Sequence, residues 1–177
     1  MKDDQGEILR QQLCTAFPVG SLLACSWDED LLRRFGEAVG AEMEAYGVDI
    51  WLAPGMNLHR DPLCGRHFEY FSEDPLVAGF CAAAITRGVQ ARGLGVTIKH
   101  FACNSQETQR TASNDIISQR ALRELYLRGF QIAVEQGHPL CVMTAYNDIN
   151  GVPCANNRDL TQAILRDEWG FDGLVMT

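Results

Sequence analysis

Five side chains in this sequence combine types and positions that could hold a polyhydroxylated ligand. Lys99 and His100 follow directly on the apolar run Gly95-Val-Thr-Ile98. Arg110 lies in the polar stretch after them, and Tyr146 opens the polar stretch after Pro139-Leu-Cys-Val-Met-Thr-Ala145. Arg66 stands in a third polar segment, residues 56–71. That loop of about sixteen residues is long for a compact domain, and such loops are usually functional or disordered. Guanidinium and ammonium groups only donate hydrogen bonds, a phenol both donates and accepts, and a nearby cation keeps a carboxylate ionised. Cations, an imidazole and a phenol converging on one face would suit a ligand with many hydroxyls and a nearby anion.

Each of these residues also has a plainer reading. Arg66 could merely cap its loop by pairing with Glu69 or Asp61. Lys99 and His100 could be a strand end with a solvated lysine and a core histidine. Asn57, Arg60 and Asp61 share the loop with Arg66. His59 and His67 read as loop packing, Asn147 and Asn150 as turn residues. Phe68, Tyr70 and Phe71 read as core beneath the loop.

The elements that must position these groups follow from the apolar pattern. Residues 21–25 predict a first buried strand. Ser26 predicts a helix cap, with Glu29 three residues on. The helix places Leu31, Leu32, Phe35, Val39 and Met43 on one face. Residues 48–53 predict a second strand. A second helix starts at Ser72-Glu-Asp-Pro75, with proline in its first turn. Residues 95–98 predict a third strand, and Ser118 starts a third helix that Gly137 stops. Residues 139–145 predict a fourth strand, and Asn157 or Asp159 caps a fourth helix that runs up to Trp169. Residues 174–176 predict a fifth strand.

About five strands thus alternate with four helices, an α/β pattern. The strands are apolar without alternation, which implies a parallel sheet buried on both faces. The long polar loops all follow strands, whereas the helix-to-strand turns are short. That asymmetry is the habit of a (β/α)8 barrel, which decorates one face. No G-x-G-x-x-G opens a helix, so a dinucleotide-binding sheet is unsupported. A full barrel takes roughly 250 residues. The 177 residues here predict an incomplete one, a single domain over residues 1–177.

The net charge of −8 argues against nucleic acid or an anionic membrane as partner, since both require a basic surface. Seven cysteines, an odd number without C-x-x-C spacing, predict reduced thiols in a cytosolic protein rather than a disulfide frame or a zinc site. The polar start Met1-Lys-Asp-Asp shows no secretory signal, and no apolar run reaches the length of a membrane span. The expectation is a cytoplasmic protein with no metal and no cofactor.

The segment from Leu52-Ala-Pro-Gly-Met-Asn-Leu-His-Arg-Asp-Pro to Gly-Arg-His-Phe-Glu-Tyr-Phe-Ser-Glu-Asp-Pro75 resembles the long signature of glycoside hydrolase family 3. Lys99-His-Phe-Ala-Cys-Asn104, Arg110, Met143-Thr-Ala-Tyr-Asn147, Asn150-Gly151 and Leu165-Arg-Asp-Glu-Trp-Gly-Phe-Asp-Gly-Leu-Val175 continue it in order and spacing. The resemblance implies the N-terminal barrel domain of a β-glucosidase. By it, Arg66, Lys99, His100, Arg110 and Tyr146 bind the sugar whose bond is cleaved. It implies a retaining mechanism with an aspartate nucleophile just after Thr177, and an acid/base from a later segment. Both carboxyl groups are needed for retention. The 177-residue chain alone is therefore expected to be inactive, holding no catalytic residue of its own and needing the C-terminal part of its own chain. Its substrate is expected to be a β-glucoside or oligosaccharide. The absence of Pro-Gly-His-Gly after Lys99-His100 favours β-glucosidases over the family's N-acetylglucosaminidases. Asp4 and Arg10 have the mutual spacing of an upstream family segment, but only Leu9 matches between them, and they are not counted in the site. Two alternatives remain: a non-catalytic carbohydrate-binding remnant, and a Schiff-base barrel enzyme using Lys99.

Overall fold

The structure, a computed structural model, describes residues 12–177. Asp4 and Arg10 lie outside the described residues. The main sheet holds four parallel strands in the order β1 (Ile50–Trp51), β2 (Gly95–Phe101), β4 (Cys141–Thr144) and β7 (Leu174–Met176). Helices fill the crossovers. They are α2 (Glu29–Tyr46), α3 (Pro75–Gln90), a near-continuous helix over residues 119–137, and a widely wound helix Asp159–Glu168. The chain is an α/β structure that makes part of a (β/α)8 barrel.

The first expected strand is instead a helix, α1 (Gly20–Ala24). Its five-residue apolar run is too short for periodicity to separate strand from helix. Here Leu23 and Ala24 are buried while Leu22 is exposed, so one helical face turns inward. The main sheet therefore has one strand fewer than expected. The cap of α2 also shifts: Asp28, not Ser26, accepts from the Leu31 amide at 3.0 Å. The Ser26 hydroxyl donates to the Leu23 carbonyl at 2.7 Å, closing α1. Elsewhere the caps fall where composition puts them. Asp74 accepts from Leu76 and Val77, Ser118 from Ala121, and Asn157 from Leu160. Each side chain satisfies amides that the first helical turn leaves unpaired.

A second, small sheet is formed by β3 (Asn114–Asp115), β5 (Asp148–Ile149) and β6 (Val152–Pro153). Its strands come from the segments after β2 and β4, so it ties those two segments together. The core lies between the sheet and the helices, around Val96, Ile98, Phe101, Val142, Phe130 and Leu165. The small residues Ala78, Ala82, Ala83 and Ala84 of α3 are fully buried, which lets that helix sit close to its neighbours. None of the seven cysteines is in a disulfide, and five of them are buried. Among the described residues, no helix is long and apolar enough to cross a membrane.

Candidate functional site

The five expected residues meet at the C-terminal end of the parallel strands. Lys99 and His100 are among the last residues of the β2 strand itself. Here the ladder to β4 slips, pairing Lys99 with Met143 and then Phe101 with Thr144. His100 has no partner in that register. Asn57, from the loop after β1, takes both of its backbone groups instead. The His100 amide donates to Asn57 Oδ1 at 2.8 Å, and Asn57 Nδ2 donates to the His100 carbonyl at 2.9 Å. Asn57 is buried, so this pair replaces ladder bonds that water cannot supply there.

Two carboxylates gather the cations. Glu69 accepts from Arg66 Nε through one oxygen, and its other oxygen lies 3.6 Å from Lys99 Nζ. Glu107 accepts from Arg110 Nη1 at 3.1 Å, and its second oxygen is 3.9 Å from Arg66 Nε. The Arg110 guanidinium lies over the Tyr146 ring, 5.0 Å from its centroid, a cation–π arrangement. The order Lys99, Glu69, Arg66, Glu107, Arg110, Tyr146 is thus one continuous chain of contacts.

A second chain of hydrogen bonds reaches His100. Asn104 Nδ2 donates to Glu107 Oε1 at 2.9 Å and to the Tyr70 hydroxyl at 2.8 Å. That hydroxyl is 3.1 Å from His100 Nδ1. Tyr70 is fully buried, as its reading as core requires, but its hydroxyl is part of the site. Burial pushes the Tyr70 phenol well above its ordinary range, and it stays protonated. Burial, together with the charges of Arg66, Lys99 and Arg110, lowers the His100 pKa to about 3. The imidazole is therefore neutral at physiological pH. Burial also lowers Lys99, although Glu69 opposes this. Burial works against the Arg66 charge too, but the Glu69 bond and its neighbours outweigh it, and its pKa ends above the ordinary value.

Glu69, Glu107, Asn57, Asn104 and Tyr70 were not among the expected site residues. One signal was available: Arg66 with Glu69, and Glu107 with Arg110, are both charge pairs three residues apart in polar loops. His59 and His67 stack on each other with centroids 4.6 Å apart, in keeping with loop packing.

Chemically, the site offers three cations, a neutral imidazole and an aromatic face. Glu69 and Glu107 are each engaged by cations, so neither is a free nucleophile. The arrangement can donate to several oxygens of one ligand at once.

The sequence matches the model for the glycosyl hydrolase family 3 N terminal domain over residues 2–177. The chain belongs to glycosyl hydrolase family 3. A thermostable beta-glucosidase B of Acetivibrio thermocellus is 48% identical over 163 residues, covering 92% of this chain and 22% of that protein. An exo-alpha-(1->6)-L-arabinopyranosidase of Bifidobacterium longum is also 48% identical, covering 92% of this chain and 22% of its own. The structure of beta-glucosidase 3B from Thermotoga neapolitana in complex with alpha-D-glucose superposes with a TM-score of 0.90 at 54% identity. It covers 91% of this chain and 22% of that one. This family 3 chain therefore spans about a fifth of the length of the relatives it matches.

Proposed function

We propose that the chain forms much of the glycone-binding half of a family 3 β-glucosidase active site. In that reading, Lys99 and His100 donate to ring hydroxyls of a terminal β-glucosyl unit. Arg66 and Arg110 hold the far side, and Tyr146 borders the position of bond cleavage. The observation that carries the reading is the single cluster of Arg66, Lys99, His100, Arg110 and Tyr146 at the strand ends. Such strand ends are where barrel enzymes place their chemistry. The family and its β-glucosidase relatives support β-glycoside hydrolysis as the whole protein's activity. The relative named for arabinopyranoside keeps the sugar itself open among close pyranoses.

Hydrolysis with retention needs a nucleophilic carboxylate and a second one as acid/base, about 5–5.5 Å apart. The reading places the nucleophile just after Thr177 and the acid/base in another part of the whole protein. Substrate, a β-glucoside or short oligosaccharide, then meets the cluster described here only in the assembled protein. Aryl β-glucoside turnover tests this. The whole protein hydrolyses it with net retention, and the 177-residue chain alone does not. Turnover by the purified 177-residue chain would overturn the division of labour. A whole protein inactive on every β-pyranoside tried would overturn the reading itself.

A further inference from the structure

The proton on the His100 ring is determined by its neighbours. Glu107 Oε1 belongs to a carboxylate bonded to Arg110, which accepts and cannot donate. The Asn104 group 2.9 Å from it is therefore the amide NH2, not the amide oxygen. The second N–H of that group points to the Tyr70 oxygen at 2.8 Å. Tyr70 thus receives one hydrogen bond and has one proton to give. It is fully buried, and His100 Nδ1 at 3.1 Å is its sole other partner among the described residues. A buried hydroxyl without an acceptor incurs the full desolvation penalty. The Tyr70 proton must then go to Nδ1, which makes Nδ1 an acceptor. The ring proton of the neutral imidazole is left on Nε2, for which no protein partner is present among the described residues.

We propose that Tyr70 and Asn104 are positioning residues that fix His100 as the Nε2–H tautomer, so that it meets a ligand hydroxyl as an obligatory donor. The direction of every bond runs one way, from Asn104 to Tyr70 to His100. The three protonated cations nearby are also donors only. The cations and the imidazole then recognise ligand oxygens as acceptors, while Glu69, Glu107 and the Tyr146 hydroxyl are the groups able to accept from a ligand. The last step, donation to a hydroxyl, rests on the sugar-binding reading above; the tautomer does not.

The test is the ¹⁵N spectrum of the full-length protein labelled at histidine, recorded in the solid state without sugar, with H100N identifying the resonances. The expected result is one His100 species, protonated at Nε2 and unprotonated at Nδ1. In Y70F the Nδ1 resonance moves downfield, because its hydrogen-bond donor is gone. Protonation at Nδ1 in the unaltered protein overturns the proposal whether or not Y70F folds. An unmoved Nδ1 resonance in folded Y70F overturns it as well. A protein that fails to cleave glucosides but shows this spectrum refutes the sugar reading alone.

Discussion

Lys99 Nζ lies 3.6 Å from Glu69 Oε2, with both side chains largely out of water. The same carboxylate holds Arg66, so one anion keeps two cations side by side. Exposed ion pairs contribute little, but a mostly buried carboxylate shared by two cations is different. Glu69→Gln replaces it with a neutral amide and leaves two like charges facing each other. The variant is expected to lose about 2 kcal/mol of stability. Urea unfolding would show this as a lower midpoint at constant slope; an unchanged midpoint would contradict it.

His100 gives a pH dependence with a definite sign. Its folded pKa of about 3 lies below the ordinary histidine value. Between that value and about 6.5, the unfolded chain binds a proton that the folded chain does not. Stability therefore falls as pH drops through this window, by up to about 1.4 kcal/mol per pH unit from this residue. His100→Asn removes the contribution. Unfolding free energies measured from pH 7 to pH 4 should converge for the two proteins; parallel curves would refute the buried neutral imidazole.

Asp115 acts in the opposite direction. Burial raises its carboxyl to about 6, although the 2.9 Å bond from Asn147 Nδ2 works against this. Between the ordinary carboxylate value and about 6, the folded chain holds a proton that the unfolded chain has lost. This contribution is present at low pH and is lost as pH rises through 6. Asp115→Asn is neutral throughout, and Asn can still accept from Asn147. The variant is expected to be more stable than the parent at pH 8 by about 1 kcal/mol, with the gap closing near pH 4. A gap of the same size at both pH values would show that charge is not its cause.

Arg110 is the least buried of the three cations, and its contacts to Glu107 and the Tyr146 ring are worth about 0.5–1 kcal/mol each. Arg110→Ala should therefore leave the thermal midpoint within a few degrees of the parent. Under the glucosidase reading it should still raise KM for an aryl glucoside in the whole protein. A variant that unfolds at room temperature would assign Arg110 a structural role instead.

Lys99 was legible in the sequence because it stands just after an apolar run, where a parallel strand must deliver it to one face, whereas Arg66 and Arg110 lie deep in polar loops and were singled out by the family resemblance. Their carboxylate partners were not. Which cation Glu69 or Glu107 meets depends on the path of two long loops, and loop paths carry no period. Tyr70 looked like core and is core, yet burial itself makes its hydroxyl consequential. The first strand failed for a related reason: residues 21–25 are apolar in both a strand and a one-turn helix. The β3–β5–β6 sheet has strands of two residues each, below any length at which alternation can be read.

The close packing of α3 on α2 at Gly88 makes a sharp packing prediction. A Cβ on Gly88 of α3 would stand 2.1 Å from the Arg33 carbonyl oxygen of α2 and 3.0 Å from the Glu37 amide nitrogen. Both are backbone atoms in the middle of an 18-residue helix, so neither can rotate away. Gly88→Ala gains about 1 kcal/mol of helix propensity but must push the two helices apart. The net expectation is a loss of about 2 kcal/mol, because overpacking of a filled core costs roughly 1–3 kcal/mol and here the obstacle is rigid. Gly65 is the control, since a Cβ there meets nothing within 4 Å. Gly65→Ala should be neutral or stabilise by about 0.5 kcal/mol through the unfolded chain. Thermal unfolding of the two variants side by side checks both, and equal midpoints would refute the close approach of α2 to α3.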